Sequence, residues 1–114
     1  MNAALQLDPA HYTYRVTWSA EDAEYLATCS ELPSLSWLAT TPEEALAGVK
    51  RVVTDAVSDM RASGEHVPQP LADRSYSGHF NVRVSESLHR RLVTEAAEEG
   101  VSLNRLISER LARA

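Results

Sequence analysis

Residues 79–84 read HFNVRV, in which apolar side chains alternate with side chains that form hydrogen bonds. In an extended strand this alternation puts one kind on each face. The apolar row consists of Phe80, Val82 and Val84, and the polar row of His79, Asn81 and Arg83. Arginine can donate two hydrogen bonds to guanine, asparagine can pair with adenine, and histidine can donate or accept. The polar row is therefore predicted to read the edges of DNA bases.

Two short amphipathic helices are predicted directly after this strand. Ser85 is a favourable N-cap for the first helix, and Gly100 supplies the left-handed residue that ends it. Ser102 caps the second helix. The apolar stripe of the first helix consists of Leu88, Leu92 and Ala96, and that of the second of Leu103, Leu106, Ile107 and Leu111.

One strand and two short helices cannot bury a core alone, and a lone strand leaves its backbone groups unpaired. Two copies could pair their strands antiparallel across a twofold axis, with the apolar rows facing four helices. The residues expected in this shared core are Phe80, Val82, Val84, Leu88, Leu92, Leu106 and Ile107. The sequence therefore predicts a homodimer formed through the C-terminal strand.

The order and spacing of these elements over residues 78–113 resemble those of the ribbon-helix-helix repressors, which place a β-ribbon in the major groove of DNA. The resemblance makes His79, Asn81 and Arg83 the base-reading residues on a palindromic operator. It also implies a phosphate clamp at the start of the second helix, formed by Ser102, Leu103, Asn104 and Arg105. The helix N-terminus suits an anion there. The alternative, an edge hairpin of an unrelated domain, is disfavoured by the two capped helices and the Gly100 break.

Length and composition restrict the other possibilities. The chain has 114 residues and 44% hydrophobic content, which suffices for one small domain and an appendage. The single Cys29 excludes an internal disulfide, and no apolar run approaches the length of a membrane span. Residues 1–10 lack the features of a signal peptide, so a cytoplasmic protein without a membrane segment is expected.

Charge is divided unevenly along the chain. Residues 1–74 contain five Lys and Arg against eleven Asp and Glu, a net charge of −6. Residues 75–114 contain six Arg against five Glu, a net charge of +1. The acidic half suits a basic partner, whereas the tail shows only weakly the positive charge typical of DNA-binding domains. Modest affinity for DNA at physiological salt is expected.

The first half is predicted to form three strands and one long helix. Alternation predicts strands at Tyr12–Trp18 and Tyr25–Cys29, and residues 35–39 are a third candidate. Thr41 followed by Pro42 marks the start of a helix of about five turns. Its apolar face consists of Leu46, Val49, Val53, Val57 and Met60. A small antiparallel sheet covered by one helix gives the fold class α+β.

A connecting segment is predicted over residues 64–77. Gly64 would end the long helix, and Pro68 and Pro70 cannot continue it. The expected organisation is a first domain at residues 1–63, an extended linker at 64–77 and the tail at 78–114. Few contacts should cross such a linker, so each half should fold without the other.

The first half resembles the N-terminal domain of HicB-family antitoxins. The resemblance is carried by Tyr12–Trp18, by YLATC at 25–29 followed by ELP at 31–33, and by TPEEAL at 41–46. With the tail it spans residues 12–113. It implies a partial RNase H-like fold that masks a HicA-like toxin, a small basic RNA-cleaving protein of double-stranded-RNA-binding-domain fold. It also implies that the tail represses the operon encoding both proteins.

Two departures from the family pattern lie in the loop and third strand. The family usually has Gly after the loop Pro and Gly-Asp before the capping Thr, whereas this chain has Ser34 and the pair Ala39-Thr40. Toxin contacts are expected in this region. The departures leave open either a divergent toxin or a domain that has lost its toxin.

No catalytic site, metal site or cofactor is expected. Glu21, Asp22 and Glu24 crowd one turn, and Glu43 and Glu44 lie at a helix start, so solvation and the helix dipole explain both groups. The four histidines lack zinc-site spacing. A vestigial nuclease is therefore the weakest interpretation. A buried core position is expected for Cys29. The residues expected to contact the toxin are Trp18, Glu21, Asp22, Glu24 and Trp37, the two tryptophans being either interface anchors or core residues.

The sequence as a whole predicts a non-enzymatic antitoxin and autorepressor, whose dimers assemble further if the N-terminal domains also associate. The alternative is a free-standing ribbon-helix-helix transcriptional regulator. Its N-terminal domain would bind a small ligand or serve only for oligomerisation.

Overall fold

The computed structural model describes residues 7–114, which divide into two units with the boundary in the sequence between Tyr76 and Ser77. The first unit contains three strands and a long helix, and the second contains two shorter helices, so the predicted α+β class is confirmed. The elements are β1 (Tyr14–Ser19), β2 (Glu24–Cys29), β3 (Ser36–Ala39), α1 (Pro42–Ala62), α2 (Glu86–Glu99) and α3 (Leu103–Arg113), with single 3₁₀ turns at Pro9–His11 and Leu71–Asp73.

The three predicted strands form one antiparallel sheet in the order β1-β2-β3. Val16 lies opposite Ala27, and Ala27 lies opposite Trp37, so these three residues share the face that packs on α1. Ala27 and Cys29 are fully buried there, which confirms the core position expected for Cys29. β1 begins two residues later than predicted, because the backbone N–H of Tyr12 closes the preceding 3₁₀ turn by donating to the carbonyl of Pro9 at 3.2 Å.

Helix α1 begins and packs as its sequence predicts. The Thr41 hydroxyl accepts a hydrogen bond from the backbone N–H of Glu44 at 3.1 Å, and Pro42 occupies the first turn. The residues buried against the sheet are Ala45, Gly48, Val49, Val53 and Val57. Each valine buried in this way stabilises the fold by about 1.5–3 kcal/mol. Leu46 and Met60 are only half-buried, at the margins of this face.

A segment that we call the strap, residues 67–74, packs on the first unit. The Tyr12 hydroxyl donates a hydrogen bond to the carbonyl of Pro68 at 2.6 Å, and Pro70 is fully buried. Nδ1 of His11 lies 2.9 Å from a carboxylate oxygen of Asp73, and this hydrogen bond and charge raise the pKa of His11. The packed strap differs from the extended linker that was expected over residues 64–77. Its contacts could not be recognised in the sequence, because they join residues more than fifty positions apart.

Both tail helices have the predicted caps. The Ser85 hydroxyl accepts from the Leu88 N–H at 3.2 Å, and the Ser102 hydroxyl accepts from the Arg105 N–H at 3.1 Å. Gly100 ends α2 with φ of 69°, a left-handed conformation that glycine adopts without strain. The predicted pair of helices and the break between them are therefore confirmed.

Few side chains of the second unit are buried. Its buried residues are Ala96 of α2 and Leu106 of α3, with 4% and 2% of their surface exposed. Arg110 and Glu95 form an ion pair that also joins the two helices. Two buried residues make a very small core, so this unit has little apolar burial of its own.

The strand predicted over residues 79–84 does not form in the single chain. A strand is defined by hydrogen bonds to a neighbouring strand, and the second unit contains none within residues 77–114. The apolar row is left in solvent, with Phe80 68%, Val82 67% and Val84 43% exposed. The predicted strand is therefore absent from the single chain, and its pairing with a second chain stays a prediction.

Candidate functional site

The three residues predicted to read bases lie on the exposed segment between Gly78 and α2. The side chains of His79, Asn81 and Arg83 are exposed, and none of them forms a hydrogen bond or ion pair within the described part of the chain. The backbone here is held only locally, by the Ser77 hydroxyl, which accepts from the His79 N–H at 3.0 Å. These polar groups are thus available to a partner, and their base-reading role stays a prediction.

The start of α3 presents the donors expected of a phosphate clamp. The N–H of Arg105 is used by the Ser102 cap, while the N–H groups of Leu103 and Asn104 have no acceptor within residues 7–114. Nε of Arg105 lies 3.1 Å from a carboxylate oxygen of Glu109, so its side chain is tied to its own helix. Two backbone donors at the positive end of the helix dipole could therefore receive an anion.

An uncovered apolar surface distinguishes the second unit. Of the residues predicted for a dimer core, Leu106 is buried, Leu88, Leu92 and Ile107 are half-buried, and the apolar row of the 79–84 segment is exposed. Val93 is 46% exposed and also belongs to this surface, although the sequence analysis did not include it. Its position next to Leu92 on α2 was the signal that could have identified it. Leu111 is 55% exposed. A concentration of exposed apolar side chains on so small a unit is typical of an interaction surface.

Three of the five candidate toxin-contacting residues lie at one end of the β1–β2 hairpin. Trp18 is 55% exposed and packs edge-on against Tyr25, with ring centroids 5.0 Å apart. Glu21 and Asp22 form the exposed turn, in which the Ser19 hydroxyl donates to the Asp22 carboxylate at 2.8 Å. That hydrogen bond gives Asp22 a local role in shaping the turn, whereas Trp18 and Glu21 are available for contact.

The other two candidates, Glu24 and Trp37, lie in a groove between β3 and α1. We call this the α1 groove; it is open to solvent and has a volume of about 430 Å³. Its lining includes Glu24, Trp37, Leu38, Ala39, Glu44 and Arg51. The guanidinium carbon of Arg51 lies 5.2 Å from the centroid of the Trp37 ring, within the range of a cation–π interaction. The sequence analysis missed the contributions of Glu44 and Arg51, which depend on the packing of the helix on the sheet.

Gly48 allows the indole of Trp37 to lie directly on α1. A Cβ atom at position 48 would come within 2.0 Å of Cδ1 of Trp37. We therefore expect Gly48→Ala to displace the indole and to lower the free energy of unfolding by about 1–3 kcal/mol, the usual cost of overpacking. Chemical denaturation followed by circular dichroism measures this loss. Ala47→Gly, a glycine change at the neighbouring position, is the control for helix propensity, and an unchanged stability of Gly48→Ala would contradict the close contact.

A buried carboxylate that the sequence analysis overlooked, Glu31, holds three parts of the first unit together. It is 9% exposed and accepts hydrogen bonds from the N–H of Thr13 and of Leu71, both at 2.9 Å, and from the Thr13 hydroxyl at 3.1 Å. Burial raises the pKa of Glu31, but the N–H donors of Leu71 and Thr13 outweigh it, so the pKa lies below its usual value. The available signal was that Glu31 is the single charged residue between Tyr25 and Pro42.

No three His, Cys, Asp or Glu side chains within residues 7–114 are placed so that they could hold a metal ion. Burial raises the pKa of the Cys29 thiol, which disfavours the reactive thiolate. No helix within residues 7–114 has the length and apolar character required to cross a bilayer.

Comparison with known protein families gives a match that covers part of the chain. No curated protein and no solved structure matches the chain. Residues 62–111 match the model of the HicB family. The matched residues run from the end of α1 through the strap and the 79–84 segment to Leu111 of α3. This match supports a HicB-family protein.

Proposed function

We propose that the chain is the antitoxin of a type II toxin–antitoxin system, which neutralises a HicA-like RNA-cleaving toxin and represses its own operon. The observation that carries the proposal is the HicB-family match over the segment that contains both the polar row and the uncovered apolar surface. The antitoxin acts by binding, without catalysis or a cofactor.

The DNA-binding activity is assigned to the second unit as a ribbon-helix-helix dimer. In this arrangement the 79–84 segments of two chains pair as antiparallel strands and cover the exposed Phe80, Val82 and Val84 with the helices of both copies. The side chains of His79, Asn81 and Arg83 then project from one face of the ribbon into the major groove. Twofold symmetry of the protein requires a palindromic operator.

Electrostatics sets the expected strength of this interaction. The second unit has a net charge of only +1, so two copies supply little general attraction to DNA. The Leu103 and Asn104 N–H groups, with exposed Arg90 and Arg91, provide local contacts to phosphates. The proposed repressor should therefore depend on base contacts for much of its affinity and lose binding as salt rises.

The base-reading row gives a direct test. We expect Asn81→Ala and Arg83→Ala each to lose about 1–3 kcal/mol of discrimination between operator and unrelated DNA, because each removes a bidentate pairing with one base. Gel-shift titration against the DNA upstream of the gene measures the loss, and Arg113→Ala at the end of α3 is the charge-matched control. Unchanged operator affinity in both variants would refute the assignment.

Toxin neutralisation is assigned to the first unit, as a partial RNase H-like domain. Its residues carry a net charge of −6, which suits the basic surface of an RNA-cleaving protein. Trp18 and Trp37 remain 55% and 38% exposed, which leaves large aromatic surfaces for a partner to cover. Co-expression with the protein encoded by the adjacent gene, followed by purification on a tag carried by that protein, tests this part. The antitoxin should co-purify with that protein in a constant molar ratio.

The α1 groove favours a second candidate function. A volume of about 430 Å³ is within the range of small-molecule sites, so the chain could be a free-standing regulator that binds a ligand there. Its open, charged lining makes it a poor match for the mostly apolar sites that bury a small molecule. Operator binding without any stable complex with the adjacent gene product would favour this alternative.

A further inference from the structure

We propose that the α1 groove binds an arginine or lysine side chain of the basic protein that the first unit neutralises. This inference rests on the proposed function and adds the place and the chemistry of the contact. It follows from the shape of the groove, from the contact that Trp37 makes with Arg51, and from two carboxylates that form no ion pair within residues 7–114.

The wall of the groove is a fixed aromatic surface. Trp37 lies on β3 with its indole against the backbone of α1 at Gly48, where a Cβ atom would come within 2.0 Å of the ring. The indole is 38% exposed, so part of its surface faces solvent in the groove. Trp37 is thus held in place by the helix and remains accessible.

Arg51 shows which kind of group this wall accepts. Its guanidinium lies over the Trp37 ring at 5.2 Å and forms no ion pair with any carboxylate in the described part of the chain. Tryptophan is the aromatic side chain that attracts cations most strongly, and a guanidinium can stack on its face. The chain's own arginine occupies part of the groove in the way that a partner's arginine would.

Two carboxylates supply the attraction for an incoming cation. Glu24 of β2 and Glu44 of α1 line the groove, and neither has an ion-pair partner within residues 7–114. Arg51 does not neutralise Glu44, since seven residues separate them along α1, a rise of about 10 Å. The charged side chains lining the groove therefore sum to −1, on a unit of net charge −6. This balance favours a basic side chain and opposes an acidic one.

The test compares charge changes inside the groove with equal changes outside it. Isothermal titration calorimetry would measure the affinity of the full chain for the adjacent gene product. We expect Glu24→Gln/Glu44→Gln to weaken binding about tenfold, because two charge-assisted contacts are lost. The control Glu43→Gln/Glu65→Gln removes the same charge from exposed positions outside the groove, and should change the affinity by less than about threefold. Arg51→Gln removes the competing cation, and should leave binding equal or tighter.

Two results would overturn the inference. Equal losses in the groove variant and its control would mean that only overall charge matters. Weaker binding by Arg51→Gln together with tighter binding by the glutamine double variant would mean that the groove takes an acidic side chain.

A second probe separates this inference from the proposed function. Hexa-arginine amide should shift the indole N–H resonance of Trp37 in the wild type and in Glu43→Gln/Glu65→Gln, but not in Glu24→Gln/Glu44→Gln. If the wild-type chain does not bind the adjacent gene product, the proposed function fails, and the peptide titration still decides whether the groove accepts a cation. If the wild-type chain binds that protein and the peptide leaves the Trp37 resonance unchanged, the proposed function stands and the groove assignment is wrong.

Discussion

Phe80→Ala is expected to convert the full-length chain from a dimer to a monomer. Phe80 is the largest apolar side chain of the 79–84 segment, and in the single chain 68% of its surface is exposed. The proposed pairing of two chains would bury it against four helices, and loss of a buried phenylalanine costs about 3–5 kcal/mol. A loss of 3–5 kcal/mol in dimer stability raises the dissociation constant by two to four orders of magnitude.

Analytical ultracentrifugation over a range of concentrations measures this change. Tyr76→Ala is a suitable control, since Tyr76 is 71% exposed and lies just before the second unit. It should leave the dimer intact. A wild-type chain that stays monomeric and folded at micromolar concentrations would contradict the proposed dimer.

Glu31→Ala is expected to have the second largest effect, on the stability of the first unit. The change leaves the N–H groups of Thr13 and Leu71 without their acceptor and removes one of the contacts that hold the strap. Unsatisfied donors of this kind cost about 1–3 kcal/mol each when water cannot replace the acceptor, and Leu71 is 37% exposed, so we expect a total of about 2–4 kcal/mol. Hydrogen exchange should show faster exchange at the Leu71 N–H. Glu31→Gln, which keeps one acceptor oxygen, should lose less, and equal protection of Leu71 in all three proteins would contradict the role of Glu31.

The lowered pKa of Glu31 also gives a pH dependence of known sign. The folded state holds this pKa below its usual value of 4.5, so the folded state favours the carboxylate. The resulting stabilisation is present above pH 4.5 and is lost as the pH falls through the folded pKa. Urea denaturation at a series of pH values below 6 should therefore show a decline in the wild type that is smaller in Glu31→Gln.

Local signals predicted those elements whose contacts lie close together in the chain. Thr41 and Pro42 determine where α1 begins, and Ser85, Gly100 and Ser102 determine the bounds of the tail helices, so sequence reasoning located all three helices. The strap and the α1 groove could not be predicted in this way. The strap depends on the pairing of Glu31 with Leu71, and the groove on the fit of Trp37 over Gly48, both of which join separate elements.

The two prolines of the strap illustrate the limit. Pro68 and Pro70 indicate that a helix cannot continue, and the sequence analysis therefore expected an extended linker. In the structure Pro70 is buried, and the carbonyl of Pro68 accepts a hydrogen bond from the Tyr12 hydroxyl. The 79–84 segment shows a different limit, since its alternation was recognised but residues 77–114 contain no neighbouring strand, and pairing with a second chain stays a prediction.

We propose that toxin neutralisation and operator binding lie on different units of the chain. The contacts of the strap determine which fragments should be compared. A fragment that ended at residue 70 would lack the Leu71 and Asp73 contacts that hold the strap. Residues 1–76 and residues 77–114 are therefore the fragments to compare.

The most direct measurement is growth rescue of cells that express the adjacent gene product as the toxin, run beside operator binding by each fragment. We predict that residues 1–76 restore growth without binding the operator, and that residues 77–114 bind the operator without restoring growth. Rescue by residues 77–114 alone would contradict the account.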